Sequence, residues 1–182
     1  MSKGFDSFTD ARQLPGSARH EKITNAIGYY VESDSIHRGL VKLCQKLAAL
    51  DLDTLAKVHL WFGYAPHLRK LTVWAGFITD YASIPRALWG ILAPKDIRRP
   101  AVHHDAGYRL ILHLRKLGLV CRSEFRALRK LFDRLFREQM QHVQPDIAEW
   151  KKRAAYRSVR AFGGFSRANS YEHLRPQPST YL

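Results

Sequence analysis

The sequence predicts an α+β fold, a small antiparallel β-hairpin packed on a predominantly helical body. Two short runs alternate apolar and other side chains, as a half-buried strand does: Lys57–Gly63 and Arg69–Trp74. Longer runs repeat their apolar residues every three or four positions, the period of a helix with one buried face. Glycine and proline fall between these runs, where chains turn.

Taken in order, residues 1–24 are polar, carry Gly4, Pro15 and Gly16, and read as a flexible arm. Residues 25–162 read as one domain. Ile36, Leu40, Leu43, Leu47 and Leu50 predict a helix over 35–50, with Asp34 or Ser35 as N-cap, and Gly39 weakens it by up to about 1 kcal/mol. The hairpin follows, its turn at Gly63–His67, and Phe77-Ile78-Thr79 extends the second strand past a bulge or turn at Gly76. Ser83-Ile84-Pro85 opens a helix that runs to about Leu92, because serine caps and a first-turn proline lacks only an N–H that had no partner. A second helix of this body runs from Arg98–Pro100 to Gly118, a third over Ser123–His142 and a fourth over Ile147–Arg160. Residues 163–182 hold little core material and read as a tail.

Composition narrows the function. With 182 residues, 46% of them hydrophobic, the chain has material for one full core and needs no staple. Cys44 and Cys121 form no C-x-x-C pattern, which excludes a cysteine zinc site and a disulfide framework. No apolar stretch approaches the ~18 residues of a membrane span, and the start lacks a secretory signal core, so the expected location is the cytoplasm of the host cell or a virion. Thirty Lys and Arg face sixteen Asp and Glu, a net +14, and residues 98–160 alone hold sixteen basic and six acidic side chains. Such a field draws phosphate polymers or acidic proteins without choosing among them. Arg122, Arg126, Arg129, Lys130, Arg134 and Arg137 fall on one broad face of the third helix, with Lys151, Lys152, Arg153, Arg157 and Arg160 on the next. They suit nucleic-acid phosphates as well as plain solvation.

The candidate site starts from Asp105. On a helical projection it lies between Ala101, Tyr108 and Leu112, in a helix apolar over most of its circumference. A carboxylate in that setting needs a cation, Arg86 or Arg109, or a metal. His104 stands beside it, and a His-Asp pair with a later Asp on another helix is the arrangement of helical metal-dependent phosphohydrolases. Asp133 is the candidate for that Asp, although Arg129 and Arg137, four residues to either side, also account for it as surface ion pairs of about 0.3–0.5 kcal/mol each. Asp80 ends the second strand ahead of the Ser83 cap, a place that suits a ligand carboxylate or a simple Asx-turn. Of His103 and His104, which project about 100° apart, one packs and one serves a site.

Gly76-Phe77-Ile78-Thr79-Asp80-Tyr81-Ala82-Ser83-Ile84-Pro85-Arg86, followed by Ala101-Val102-His103-His104-Asp105, resembles the phage and prophage family known as domain of unknown function 1353. Members share G-F-x-T-D-x-A-S-I-P-R, all nine fixed letters of which are present, and a later A-x-x-H-D. The likeness covers residues 57–140, and Lys130–Phe136 with its Asp133 has the look of the family's next helix. Many members carry glycine where this chain has Tyr81 and proline where it has Trp74. The resemblance implies a phage origin and one polar site of Asp80, Ser83, Arg86, His104, Asp105 and Asp133, without an established activity.

Two functions follow. In the first, a metal-dependent hydrolase of a cell-wall or phosphoester bond, a divalent metal (Zn, Mn or Mg) sits on His104, Asp105, Asp80 and Asp133. Asp80, Ser83, Arg86 and His104 are the catalytic set, with Arg86 neutralising charge developed on the substrate. In the second, a non-enzymatic virion or assembly protein, the same residues form an internal ion-pair network. Arg122, Arg126, Arg129, Lys130 and Arg137 then meet an acidic partner, another virion protein or nucleic acid.

Overall fold

The computed structural model describes residues 4–6, 11–13, 21–58, 61–79, 97–143 and 146–162. The fold is α+β with a helical body. Its strands are β1 (Gly4–Phe5), β2 (Ala11–Gln13), β3 (Glu21–Ile23), β4 (Ile27–Tyr30), β5 (Phe62–Ala65), β6 (Lys70–Val73) and β7 (Ile78–Thr79). Its helices are α1 (Asp34–Ala48), α2 (Leu52–Lys57), α3 (Arg98–Lys116), α4 (Arg122–Gln139) and α5 (Glu149–Phe162). Two antiparallel sheets form, one in the order β1-β4-β6-β5 and one in the order β2-β3-β7.

The hairpin is β5–β6, with Phe62 opposite Val73 and Ala65 opposite Lys70. Its first strand begins five residues later than the alternation predicts, because Asp51 caps a helix that takes up Lys57. A 3-10 turn, Pro66–Leu68, joins the strands and ends on Arg69 in the left-handed region at φ 53°. The Arg69 guanidinium donates to the Glu32 carbonyl (2.9 Å) and pairs with Asp34 (2.9 Å), which ties the turn to the start of α1. Gly76, at φ 90°, makes a turn rather than a bulge. The chain after it leaves the hairpin's sheet, and β7 pairs with β3 in the other.

The stretch expected as a loose arm holds β1, β2 and β3. Strands of two or three residues show no readable period; β2 pairs with β3 within the stretch, and β1 and β3 take partners from outside it, Gly4 with Tyr30 and Glu21 with Thr79. Asp6 adds an accepted bond from the Gly28 amide (2.8 Å) and an ion pair with Lys70. The helix predicted over Ser83–Leu92 and the tail 163–182 lie outside the described residues.

The remaining helices follow their patterns within a few residues. Ser33 caps α1, one residue before the predicted caps, and Ile36, Leu40, Leu43 and Leu47 line its buried face. Helix α3 is enclosed: Pro100–Tyr108, Leu110, Ile111 and Leu114 are all buried. One side of it meets the sheets, where His103 touches β4 and Asp105 touches β7, and another meets α4. Close packing there depends on Gly107, since a Cβ in its place would lie 2.2 Å from Cδ1 of Phe132. Glu138, near the end of α4, fastens the sheet and α1 to the body. Its carboxylate accepts from the Tyr29 hydroxyl (3.0 Å), the Glu32 amide (2.9 Å) and the Ser33 amide (2.9 Å). Cys44 and Cys121 are free thiols, and among the described residues no helix is long and apolar enough to cross a membrane.

Candidate active site

The helical contact that Gly107 permits brings one face of α3 onto α4. His104 and Tyr108, one turn apart, project from that face toward Asp133. A capping box of Cys121 and Glu124 sets where α4 begins. The apolar residues Phe132, Leu135 and Phe136 seat it against α3, and Asp133 is carried inside with them, fully buried.

A buried carboxylate requires partners, and Asp133 has them on both oxygens. Oδ1 accepts from His104 Nε2 (2.9 Å) and from the Tyr108 hydroxyl (2.7 Å). Oδ2 accepts from the Arg160 guanidinium on α5 (2.6 Å). Burial alone would raise the Asp133 carboxyl. The hydrogen bonds from His104, Arg160 and Tyr108 outweigh it and hold the group below the usual carboxylate range. Burial first, and the nearby Asp133 charge second, push the Tyr108 phenol up, so it remains a donor at neutral pH. The bond to Asp133 raises Arg160 in turn. Arg160 is the formal counter-charge and its side chain is 41% exposed, so the buried ion pair has one end in water.

The surface-pair reading of Asp133 is thereby corrected. Arg129 turns to Tyr108, its Nε 3.5 Å from the hydroxyl and its guanidinium over the ring, and Arg137 stacks on Tyr156. Asp133 pairs instead with Arg160, and its own side chain is fully buried.

Bonding to a carboxylate fixes the tautomer of His104. Because ionised Asp133 only accepts, Nε2 carries a proton, and a neutral ring then has its lone pair on Nδ1. That Nδ1 is buried and has no hydrogen-bond partner among the described residues. The same is true of both amide atoms of Gln139, farther along α4. Buried polar atoms are nearly always satisfied, so an oriented imidazole with an unmet nitrogen is chemically poised, as a base or as a metal ligand.

Asp105 is buried too, at 7% exposure, but serves a different side of α3. Thr79 of β7 donates its hydroxyl to Asp105 Oδ2 (2.5 Å). Arg109 stacks over Phe77 (4.6 Å). Among the described residues no three His, Cys, Asp or Glu side chains are grouped closely enough to hold a metal ion. The structure therefore brings His104 and Asp133 together and places Asp105 with Thr79. As arranged, Asp133 orients His104, its oxygens occupied by three donors. Asp80, Ser83 and Arg86 lie outside the described residues. His103 packs: its Nδ1 meets the Arg99 carbonyl (3.1 Å) and its Nε2 the Ile27 carbonyl (3.2 Å), and burial pushes it down to about 4.

Tyr108 and Arg160 escaped the sequence reading as partners of Asp133. The four-residue step from His104 to Tyr108 was available as a signal, since such positions share a helix face. Nothing local marked Arg160, which arrives from another helix.

The model of the family described as Protein of unknown function (DUF1353) matches residues 57–159, from the strand β5 approach to the end of α5. No curated protein and no solved structure matches the chain.

Proposed function

The chain belongs to the DUF1353 family, named for its unknown function, and we propose that it is a phage-encoded metal-dependent hydrolase worked by His104. One observation carries this reading: the buried imidazole is gripped at Nε2 by Asp133, while its Nδ1 has no partner among the described residues. A carboxylate–histidine pair of this kind fixes the direction of the free nitrogen. A divalent metal, held by His104 through Nδ1, would supply a water of lowered pKa as the nucleophile for hydrolysis. The reading needs a carboxylate beside His104 Nδ1; Asp133 already holds Nε2 and Asp105 lies with Thr79 on another side of α3, which leaves Asp80 as the candidate. Arg86, in the motif of the family, would neutralise charge on the substrate.

Metal analysis of protein purified without chelator, with melts in the presence and absence of chelator, tests the reading. The expected result is bound Zn, Mn or Mg and a lower Tm on chelation. His104→Ala should lose the metal and any phosphoester or cell-wall hydrolysis while the fold persists. Metal-free protein with an unchanged melt and no hydrolysis overturns the proposal.

A second reading, a virion or assembly protein that binds through charge, is favoured by the outer face of α4. Arg122, Arg126, Lys130 and Arg134 are exposed there and have no ion-pair partner among the described residues. Detection of the protein in purified virions supports it, and absence from them opposes it.

A further inference from the structure

The residues of the basic face are not equivalent. Arg129 is committed to Tyr108, Arg137 to the Tyr156 ring and Arg160 to Asp133. Lys152 is buried and paired with Asp146 (2.9 Å) and Glu149 (3.0 Å). What remains on α4 is Arg122, Arg126, Lys130 and Arg134, a single row at four-residue steps, each exposed and without an ion-pair partner among the described residues. At 1.5 Å per residue, adjacent members are about 6 Å apart along the axis and the row is about 18 Å long. The row ends where Arg134 and Arg137 line a cavity of about 370 Å³ with Ser33, Ser35 and Glu138.

We propose that this row binds the phosphate backbone of duplex nucleic acid without regard to sequence. The inference deepens the charge-binding reading above and is independent of the hydrolase. A strand of duplex presents one phosphate per about 3.4 Å of axis, so a cation every 6 Å meets roughly every second one. An acidic protein surface fits less well. Protein interfaces are centred on apolar and aromatic side chains, and none of the exposed large hydrophobic residues, Leu52, Leu68, Trp74, Leu117 and Trp150, is on α4. Single strands fit less well too, because the row has no aromatic side chain on which bases could stack. Backbone contacts need only cations, and cations alone cannot read sequence.

The test uses the full chain, a labelled mixed-sequence duplex, its single strand and polyglutamate, measured by anisotropy over a salt series. Four phosphate contacts predict a log–log salt slope of about −3.6, or about 150-fold weaker binding for a fourfold rise in salt. Each single change, Arg122→Ala, Arg126→Ala, Lys130→Ala or Arg134→Ala, should reduce the slope by about 0.9, and the quadruple variant should abolish most of the binding. The double variant Arg38→Ala/Lys42→Ala, exposed cations of α1, should leave it nearly unchanged. Binding that survives in a folded quadruple variant overturns the row and leaves the broader charge-binding reading standing. Tighter binding of the single strand or of polyglutamate overturns the choice of duplex. No binding of any polyanion overturns both readings.

Discussion

Gly107→Ala should destabilise the protein, against the usual rule for helices. Alanine in place of glycine inside a helix normally gains about 1 kcal/mol. Here the added methyl would sit 2.2, 2.3 and 2.6 Å from Cδ1, Cε1 and Cγ of Phe132. Ordinary contact for a Cβ begins near 3.4 Å, so something must move by about 3.4 − 2.2 = 1.2 Å. The ring cannot simply swing away, because Phe132 is fully buried and packs edge-on against Phe62 at 5.7 Å. Overpacking of this kind costs about 1–3 kcal/mol even when the core relaxes, and a clash this deep falls at or above the upper end. After the propensity gain the net loss is about 2 kcal/mol, or roughly a 4–8 °C fall in Tm for a chain of this size. Separating α3 from α4 by 1.2 Å would also stretch the 2.9 Å bond between His104 and Asp133 past hydrogen-bond range. Gly39→Ala is the control. Its methyl would meet the tip of the half-buried Leu131 at 2.6 Å, a side chain free to change rotamer, so the loss should be smaller. Thermal melts of both variants decide the matter. A Tm for Gly107→Ala equal to or above that of the parent would refute the close approach of α3 and α4.

Other expectations concern charge. Burial depresses His103 to about 4, whereas the unfolded chain's histidine titrates near 6.5, so between these values the unfolded state binds the extra proton. Stability should therefore rise with pH across that window and be lost as pH falls through it, by about 3 kcal/mol in all. Urea unfolding at several pH values should show this slope diminished in His103→Asn, and equal slopes would contradict it. Arg160→Ala leaves Asp133 without its formal counter-charge. The loss should be about 2 kcal/mol, below the 3–5 of a fully enclosed pair because water screens the exposed end, and adding Asp133→Asn should recover part of it in a double-mutant cycle. Glu138→Ala strips three donors of their acceptor, among them the largely buried Tyr29 hydroxyl, and should cost about 2–4 kcal/mol by denaturant titration.

The helical body was legible because its signals are local and repeated. Helices α1, α3, α4 and α5 have apolar periods long enough to stand out, and Gly118 marks the end of α3 with φ at 72°. The sheets were half legible. Strands β5 and β6 neighbour each other in sequence, whereas β1, β3 and β4 have partners far along the chain, and β2, at three residues, is too short to show a period. Helix α2 is only six residues, too short for a period, and its Asp51 cap was the one available sign. The same contrast governs the site. Composition and helical projection pointed to Asp105 as an enclosed carboxylate, and it is enclosed. They could not say which side of α3 each neighbour faces, because that depends on where β7 and α4 dock.

The surroundings of Asp133 bear on function. It receives a guanidinium, a phenol and an imidazole and is held ionised. Such a cluster adds little to stability beyond what apolar side chains of the same volume would supply. It also leaves His104 Nδ1 unmet among the described residues, at a cost of about 1–3 kcal/mol, a sizeable part of the 5–15 that usually separates folded from unfolded chains. A water could relieve that cost only with two or more further polar partners at the same place. Asp133 thus aims the imidazole of His104, whose Nδ1 has no partner among the described residues, and the proposed hydrolysis is placed on that nitrogen for this reason.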